Sequence, residues 1–162
     1  MESQQPLRKH LIQLLTDSQA HMDWDEAVGL FPIEQINIKF PNGKYSAWGL
    51  VEHMRRTQAD ILEFITAKKY KDKKWPQDFW PDSSKKATAD EWNITINGFA
   101  ADLKKLVKLI SNSQLDLSAK VPGGNGQTYL REFLLVADHN AYHTGELAIM
   151  RQVMNNWGPR DE

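Results

Sequence analysis

Cysteine is absent from this chain of 162 residues. The chain can therefore form no disulfide, and it offers neither a thiolate metal ligand nor a cysteine nucleophile of its own. It also lacks any apolar run near the roughly 20 residues that a membrane-spanning helix needs. The first residues, Met-Glu-Ser-Gln-Gln-Pro, contain no basic region followed by an apolar run, so we expect no signal peptide and a cytoplasmic protein.

The chain also has almost no net charge, because its 20 lysines and arginines nearly balance its 21 aspartates and glutamates. The formal net charge of −1 gives no field that would attract nucleic acid or an anionic membrane. What is present is ordinary for a globular protein, with 41% apolar and 25% charged residues. The length is that of one domain, so we expect residues 1–162 to form a single unit.

Four segments repeat their apolar residues at spacings of three and four, which is the pattern of amphipathic helices. Helix-start signals accompany three of them: Pro6 suits a first turn, Ser46 suits an N-cap, and Thr88 with Glu91 fits a capping box. The predicted helices span about 6–22, 46–69, 88–111 and 127–156. Together they predict an all-α protein, a four-helix bundle with a long crossover connection.

Residues 23–45 form that first long connection, and Pro32 and Pro41 argue against one long helix there. The connection carries apolar residues, so we expect it to pack against the bundle, with room for a short helical turn near Asp25–Val28. In the fourth predicted helix, Gly145 interrupts the pattern and indicates close packing of a neighbouring backbone.

Three large rings, Trp75, Phe79 and Trp80, lie in the connection between the second and third predicted helices, where two prolines break any helix. Rings in a loop cover the end of a core, a pocket or a partner chain. We favour cover of the core and leave the other two open.

Two histidines in the fourth predicted helix, His139 and His143, are four residues apart and so lie one turn apart on one face. Apolar residues share that face, which therefore points inward, and His53 lies among the apolar residues of the second helix. Three neutral imidazoles can bind zinc or nickel and leave positions open for water or substrate. The residues alone equally allow histidines that are hydrogen-bonded in the core. Asn140 stands where a metalloprotease helix would have glutamate, so that motif is absent.

The same residues resemble the DinB-like (DinB/YfiT) superfamily. Glu52-His53-Met54 matches the inward histidine of the family's second helix, and the segment from Asp138 to Glu146 matches the histidine pair of its fourth. The resemblance covers nearly the whole chain and implies a bundle of unusual topology that often forms a homodimer. It also implies that His53, His139 and His143 hold a divalent metal, with zinc or nickel first and iron or manganese as alternatives.

Members of this family with assigned activity resemble low-molecular-weight-thiol S-transferases and related isomerases, in which the metal binds the cofactor thiol. Bound zinc deprotonates a coordinated thiol. Because this chain has no cysteine, the thiol would arrive with a cosubstrate such as bacillithiol, mycothiol or glutathione. The expected function is a thiol-dependent S-transferase acting on a small molecule. The alternatives are a metal-dependent hydrolase of a small amide or ester, a non-catalytic metal- or ligand-binding stress protein, and a purely structural bundle.

Two neighbours of the histidines are candidate catalytic residues. Glu146 lies three residues after His143 and can either support that histidine or act as a general base, against the alternative of a surface ion pair. Tyr142 can place a hydroxyl in the pocket. Trp48 and Trp80 are expected to line the wall of the pocket and not to take part in the chemistry.

Overall fold

The computed structural model describes residues 4–157, and all regular elements in that range are helices, with no β-strand among them. The helices are α1 (Gln5–Thr16), α2 (Trp24–Val28), α3 (Ala47–Thr66), α4 (Ala89–Ser111) and α5 (Tyr129–Val153), with a 3₁₀ turn at Ile33–Gln35. The prediction of an all-α protein is confirmed. Among these helices none combines the length and apolar character needed to cross a membrane.

Each of the three longest helices, α3, α4 and α5, begins after a residue whose side chain accepts a hydrogen bond from an amide of the first turn. Ser46 accepts from the amide of Gly49 at the start of α3, and the predicted capping box between Thr88 and Glu91 is present at the start of α4. The start of α5 is capped in the same way by Thr128. The second and third predicted helices therefore begin within one residue of the observed ones, because a cap is a local signal that the sequence carries.

The predicted end of the first helix is wrong, because α1 stops at Thr16 and not near Met22. Asp17 leaves the helical conformation, with φ −110° and ψ 145°. Asp23 then caps α2 by accepting from the amide of Glu26. Asp23 starts a new helix instead of continuing the old one, and the apolar periodicity could not reveal that break. At the C-terminal side, the predicted 127–156 helix is observed as α5.

α3 packs against both α4 and α5. α1 contacts the same two helices, and α2 contacts α5. Two clusters of buried apolar side chains fill the space between them. One surrounds Trp48, Met54 and Phe99, and the other surrounds Leu11, Ile61 and Phe133.

The long first connection packs against the rest of the protein, as expected. Val28, Phe31 and Ile36 are buried. Arg151 of α5 is also buried and donates hydrogen bonds to the backbone carbonyls of Ala27 and Gly29, at 3.0 and 2.7 Å. The short helical turn near residues 25–28 is confirmed as α2.

Gly145 does not lie against a neighbouring backbone, contrary to the prediction. It is exposed, and a Cβ atom built on it would meet no atom of the described chain within 4 Å. The helix therefore has an open surface at this turn.

Candidate metal centre

The three histidines predicted as ligands lie together between α3 and α5. His53 comes from the first half of α3, and His139 and His143 come from successive turns of α5. One ring nitrogen of each lies within 4.8 Å of those of the others. His53 and His143 are buried, and His139 is partly buried. The i, i+4 spacing and the inward face of α3, both read from the sequence, account for this convergence.

The outer ring nitrogens of two histidines are held by acceptors. Nδ1 of His53 is 3.0 Å from the carbonyl oxygen of Phe79, which can only accept, so this nitrogen carries the proton. Nδ1 of His143 is 2.5 Å from Oε2 of Glu146. Each ring is left with Nε2 as its free nitrogen. Histidines that bind metals usually donate their other ring N–H to a carbonyl or carboxylate in this way.

The free nitrogens are separated by a distance that suits an ion. Nε2 of His53 and Nε2 of His139 are 3.3 Å apart. Zinc–nitrogen bonds of about 2.0–2.1 Å place tetrahedral ligands about 3.3–3.4 Å from one another. The same distance allows a direct hydrogen bond if His139 carries its proton on Nε2, so the two states differ in the tautomer of His139.

The environment keeps His53 and His139 neutral, as ligands must be. Burial, helped by the neighbouring His143 and opposed by the hydrogen bond to the Phe79 carbonyl, lowers the pKa of His53 to about 4. Burial, followed by the neighbouring His143 and His53, lowers the pKa of His139 to about 3. Both rings therefore offer lone pairs throughout the physiological range of pH.

An aromatic loop covers one side of this centre. The Trp80 ring stacks on the His53 ring at 3.8 Å between centroids, and Tyr45 stacks on Trp80 at 4.8 Å. Trp75 lies farther out, 6.2 Å from His53, and 68% of it is exposed. The expected cover of the core is observed for Trp80, which packs against the buried apolar cluster around Trp48 as well as on His53, but not for Trp75, which stands in solvent.

The loop is attached to α3 by Arg56. Its guanidinium donates to the carbonyl of Trp80 at 3.0 Å and pairs with Glu52 at 2.7 Å. Glu52 is buried and also binds Arg55, which holds the pKa of the Glu52 carboxyl below its usual value despite the opposing effect of burial. Glu52, the residue before His53, therefore helps to hold the loop that covers His53, because it pairs with the arginine that binds the loop.

The two candidate catalytic residues have different positions. Both oxygens of Glu146 are engaged, Oε2 by His143 and Oε1 by the hydroxyl of Tyr45 at 2.8 Å. This arrangement favours support of His143 over a free general base. Tyr142 is 65% exposed, with its ring 4.9 Å from the His143 ring, so it stands at the mouth of the centre.

Sequence reasoning missed Tyr45, Arg56 and the carbonyl of Phe79. Tyr45 lies in the turn before α3, and the residue that it contacts on α5, Glu146, is 101 residues away along the chain. Every residue has a backbone carbonyl, so the sequence does not show which of them accepts a hydrogen bond from a histidine. The pairing of Arg56 with Glu52 at i, i+4 was the one available signal, because helical residues at that spacing are neighbours.

The fold and the centre define an all-helical protein with a buried three-histidine group that could hold a metal ion. Among protein-family models, curated proteins and solved structures, none matches this chain.

Proposed function

We propose that His53, His139 and His143 bind one divalent metal ion inside a four-helix bundle of the DinB-like type. The observation that carries the proposal is the pair of fixed Nδ1–H groups on His53 and His143, since it leaves Nε2 of both rings without a proton at the point where the rings meet. Three imidazoles without a thiolate suit zinc or nickel, and iron or manganese are the next choices.

We further propose that the centre serves a thiol-dependent S-transferase. A bound ion of this kind would lower the pKa of a coordinated thiol. The chain has no cysteine, so the thiol belongs to a small cosubstrate, which must reach the centre from solvent. Tyr142 and Trp75, both largely exposed beside the histidines, would contact the incoming electrophile. The homodimer that the family resemblance implies stays a prediction.

Within the chain, each residue near the histidines has a definite task. Glu146 keeps the proton of His143 on Nδ1, and Tyr45 keeps Glu146 in place. The carbonyl of Phe79 does the same for His53. Trp80 excludes water from one face of His53. These contacts hold the rings in the orientation that ligation needs.

Metal analysis of purified protein, expressed in metal-supplemented medium, tests the first proposal. The wild type should carry one ion per chain, and His53→Ala, His139→Ala and His143→Ala should each lose it with the helical circular dichroism retained. His10→Ala is the matched control, because His10 is exposed on α1 and far from the centre in sequence. A wild type without metal, or metal retained in all three variants, would contradict the proposal.

Thiol dependence tests the second proposal. The metal-loaded protein is assayed with 1-chloro-2,4-dinitrobenzene and with small esters, each with and without glutathione, bacillithiol or mycothiol. Turnover that requires a thiol supports the transferase. Ester hydrolysis without any thiol would replace it by the hydrolase, and inactivity with every combination would favour the metal-binding protein without catalysis.

A further inference from the structure

Tyr45 contacts two different neighbours of the metal centre, although it lies outside the helices that carry the histidines. It stands one residue before Ser46, whose side chain caps α3 and whose backbone pairs with Lys39 in an isolated β-bridge. The Tyr45 side chain is partly buried and packs against the apolar cluster around Trp48. The core therefore holds Tyr45 in place, and its ring and its hydroxyl can act on separate partners.

The ring of Tyr45 supports the His53 side of the centre. It stacks on the Trp80 ring with centroids 4.8 Å apart and planes at 28°, and the Trp80 ring stacks on His53 at 3.8 Å and 5°. Phe79, the residue before Trp80, supplies the carbonyl that accepts from Nδ1 of His53 at 3.0 Å. Stacked aromatic rings restrain one another's orientation. The Tyr45 ring therefore restrains both the ring that covers His53 and the backbone that fixes its proton.

The hydroxyl of Tyr45 supports the His143 side of the centre. It donates to Oε1 of Glu146 at 2.8 Å, while Oε2 of the same carboxylate accepts from Nδ1 of His143 at 2.5 Å. Burial raises the pKa of the Tyr45 hydroxyl, and the hydrogen bond to Glu146 raises it further, so the hydroxyl keeps its proton for this bond. A glutamate held at one oxygen can still turn about its side-chain torsions, whereas bonds to both oxygens fix the carboxylate. The hydroxyl therefore fixes the acceptor that orients His143.

We propose that Tyr45 is a positioning residue that orients two of the three ligand histidines, His53 through Trp80 and His143 through Glu146. The inference rests on the proposed metal site and names a residue that controls the affinity of that site. Its effect on His53 and its effect on His143 come from different parts of one side chain. Substitutions can therefore separate the two routes.

Two substitutions of Tyr45 remove its groups in turn. Tyr45→Phe removes the hydroxyl and keeps the ring, and metal affinity should fall by about three- to tenfold, the effect of one lost hydrogen bond. Tyr45→Leu removes both groups, and the affinity should fall by about 10- to 30-fold. Affinity is measured by competition with a chromophoric chelator. Tyr70→Phe is the matched control and should leave the affinity unchanged, because the Tyr70 hydroxyl also donates to a carboxylate at 2.8 Å, that of Asp60, outside the metal centre.

A double-mutant cycle tests whether the hydroxyl acts through Glu146. In a Glu146→Ala background the hydroxyl has lost its acceptor, so Tyr45→Phe should cause no further loss of metal affinity. In a Trp80→Leu background the bond to Glu146 is retained, so Tyr45→Phe should still weaken binding by about three- to tenfold. The two backgrounds thus distinguish the hydroxyl route from the ring route.

NMR of the metal-free protein supplies a readout that depends on no ion. Long-range ¹H–¹⁵N spectra show which ring nitrogen carries the proton, and the signals are assigned by their loss in His53→Ala and His143→Ala. In the wild type both rings should carry the proton on Nδ1. Tyr45→Phe should shift His143 towards a mixture of tautomers and leave His53 unchanged, whereas Tyr45→Leu should shift both. A general loss of stability would not produce this selective pattern.

Two results would overturn the role of Tyr45. One is a metal affinity and a His143 tautomer in Tyr45→Phe that equal those in Tyr70→Phe, and the other is an equal loss of affinity on Tyr45→Phe with and without Glu146. If Tyr45→Leu does not fold, Trp80→Leu takes its place, and an unchanged His53 tautomer there overturns the ring route. A wild type that binds no metal would instead contradict the proposed function, and the spectra of the metal-free protein would still decide the role of Tyr45.

Discussion

The polar groups on two faces of α5 differ in whether they have hydrogen-bond partners. On one face, the ring N–H of His143 is held by Glu146, and the His53 ring that meets it is held by the carbonyl of Phe79. On the other, Asn140 and Trp24, which line one cavity, each bury an atom that has no partner in the described chain. The first face pairs the outer nitrogens of two rings, and the second leaves a side-chain oxygen of Asn140 enclosed by the chain.

The difference shows how a ligand type can be inferred from what a site already satisfies. In the metal centre the outer nitrogens of His53 and His143 are paired and the three rings converge, which leaves lone pairs for a cation. The unpaired atoms of Asn140 and Trp24 are enclosed by the chain, so they offer no such position to a ligand. His139 and Asn140 are adjacent on α5 and point about 100° apart, and only His139 belongs to the histidine group.

Metal removal should have the largest effect on stability, because the metal centre would lose its ligand while the opposite face of α5 would not change. At a thousandfold excess over its dissociation constant, an ion that binds only the folded state stabilises it by about 4 kcal/mol. Addition of a chelator to the metal-loaded protein should therefore lower the melting temperature markedly in a thermal unfolding experiment. His143→Ala should show no response to the chelator, and an equal response there would place the ion elsewhere.

Replacement of the group that holds His143 should have the next largest effect. Glu146→Gln removes the negative charge beside Nδ1, and we expect metal affinity to fall by about 10- to 100-fold. The affinity is measured by competition with a chromophoric chelator. Asp138→Asn is the matched control, since Asp138 is an exposed acid beside His139 on the same helix. Equal affinities for the two variants would show that Glu146 does not support the centre.

The third, exposed face of α5 should respond least and leave the metal centre unchanged. Gly145→Ala replaces a helical glycine in open space, so the free energy of unfolding should rise by about 1 kcal/mol in urea denaturation. Metal content should not change. A loss of stability would mean that something packs closely over Gly145, as the sequence had suggested.

The sequence predicted the features that depend on local spacing. His139 and His143 at i, i+4, the inward position of His53 and the capping box at Thr88 are each encoded within a few residues. Features that depend on distant partners were missed. The stacking of Trp80 on His53 requires a loop whose carbonyls bind Arg56 and His53, and residue identity does not reveal a carbonyl contact.

The end of α1 was missed for a related reason. α1 ends at Thr16, whereas the apolar periodicity extends to Met22 and predicts a continuous helix. Asp23 then caps a separate helix, α2, and periodicity does not distinguish one helix from two.

Anomalous X-ray diffraction from metal-loaded crystals, measured above and below the absorption edge of the bound element, tests the central claim most directly. We expect one anomalous peak between α3 and α5, at about 2.0–2.1 Å from Nε2 of His53, His139 and His143 if the ion is zinc. Absence of a peak there, with His139 hydrogen-bonded directly to His53, would contradict it.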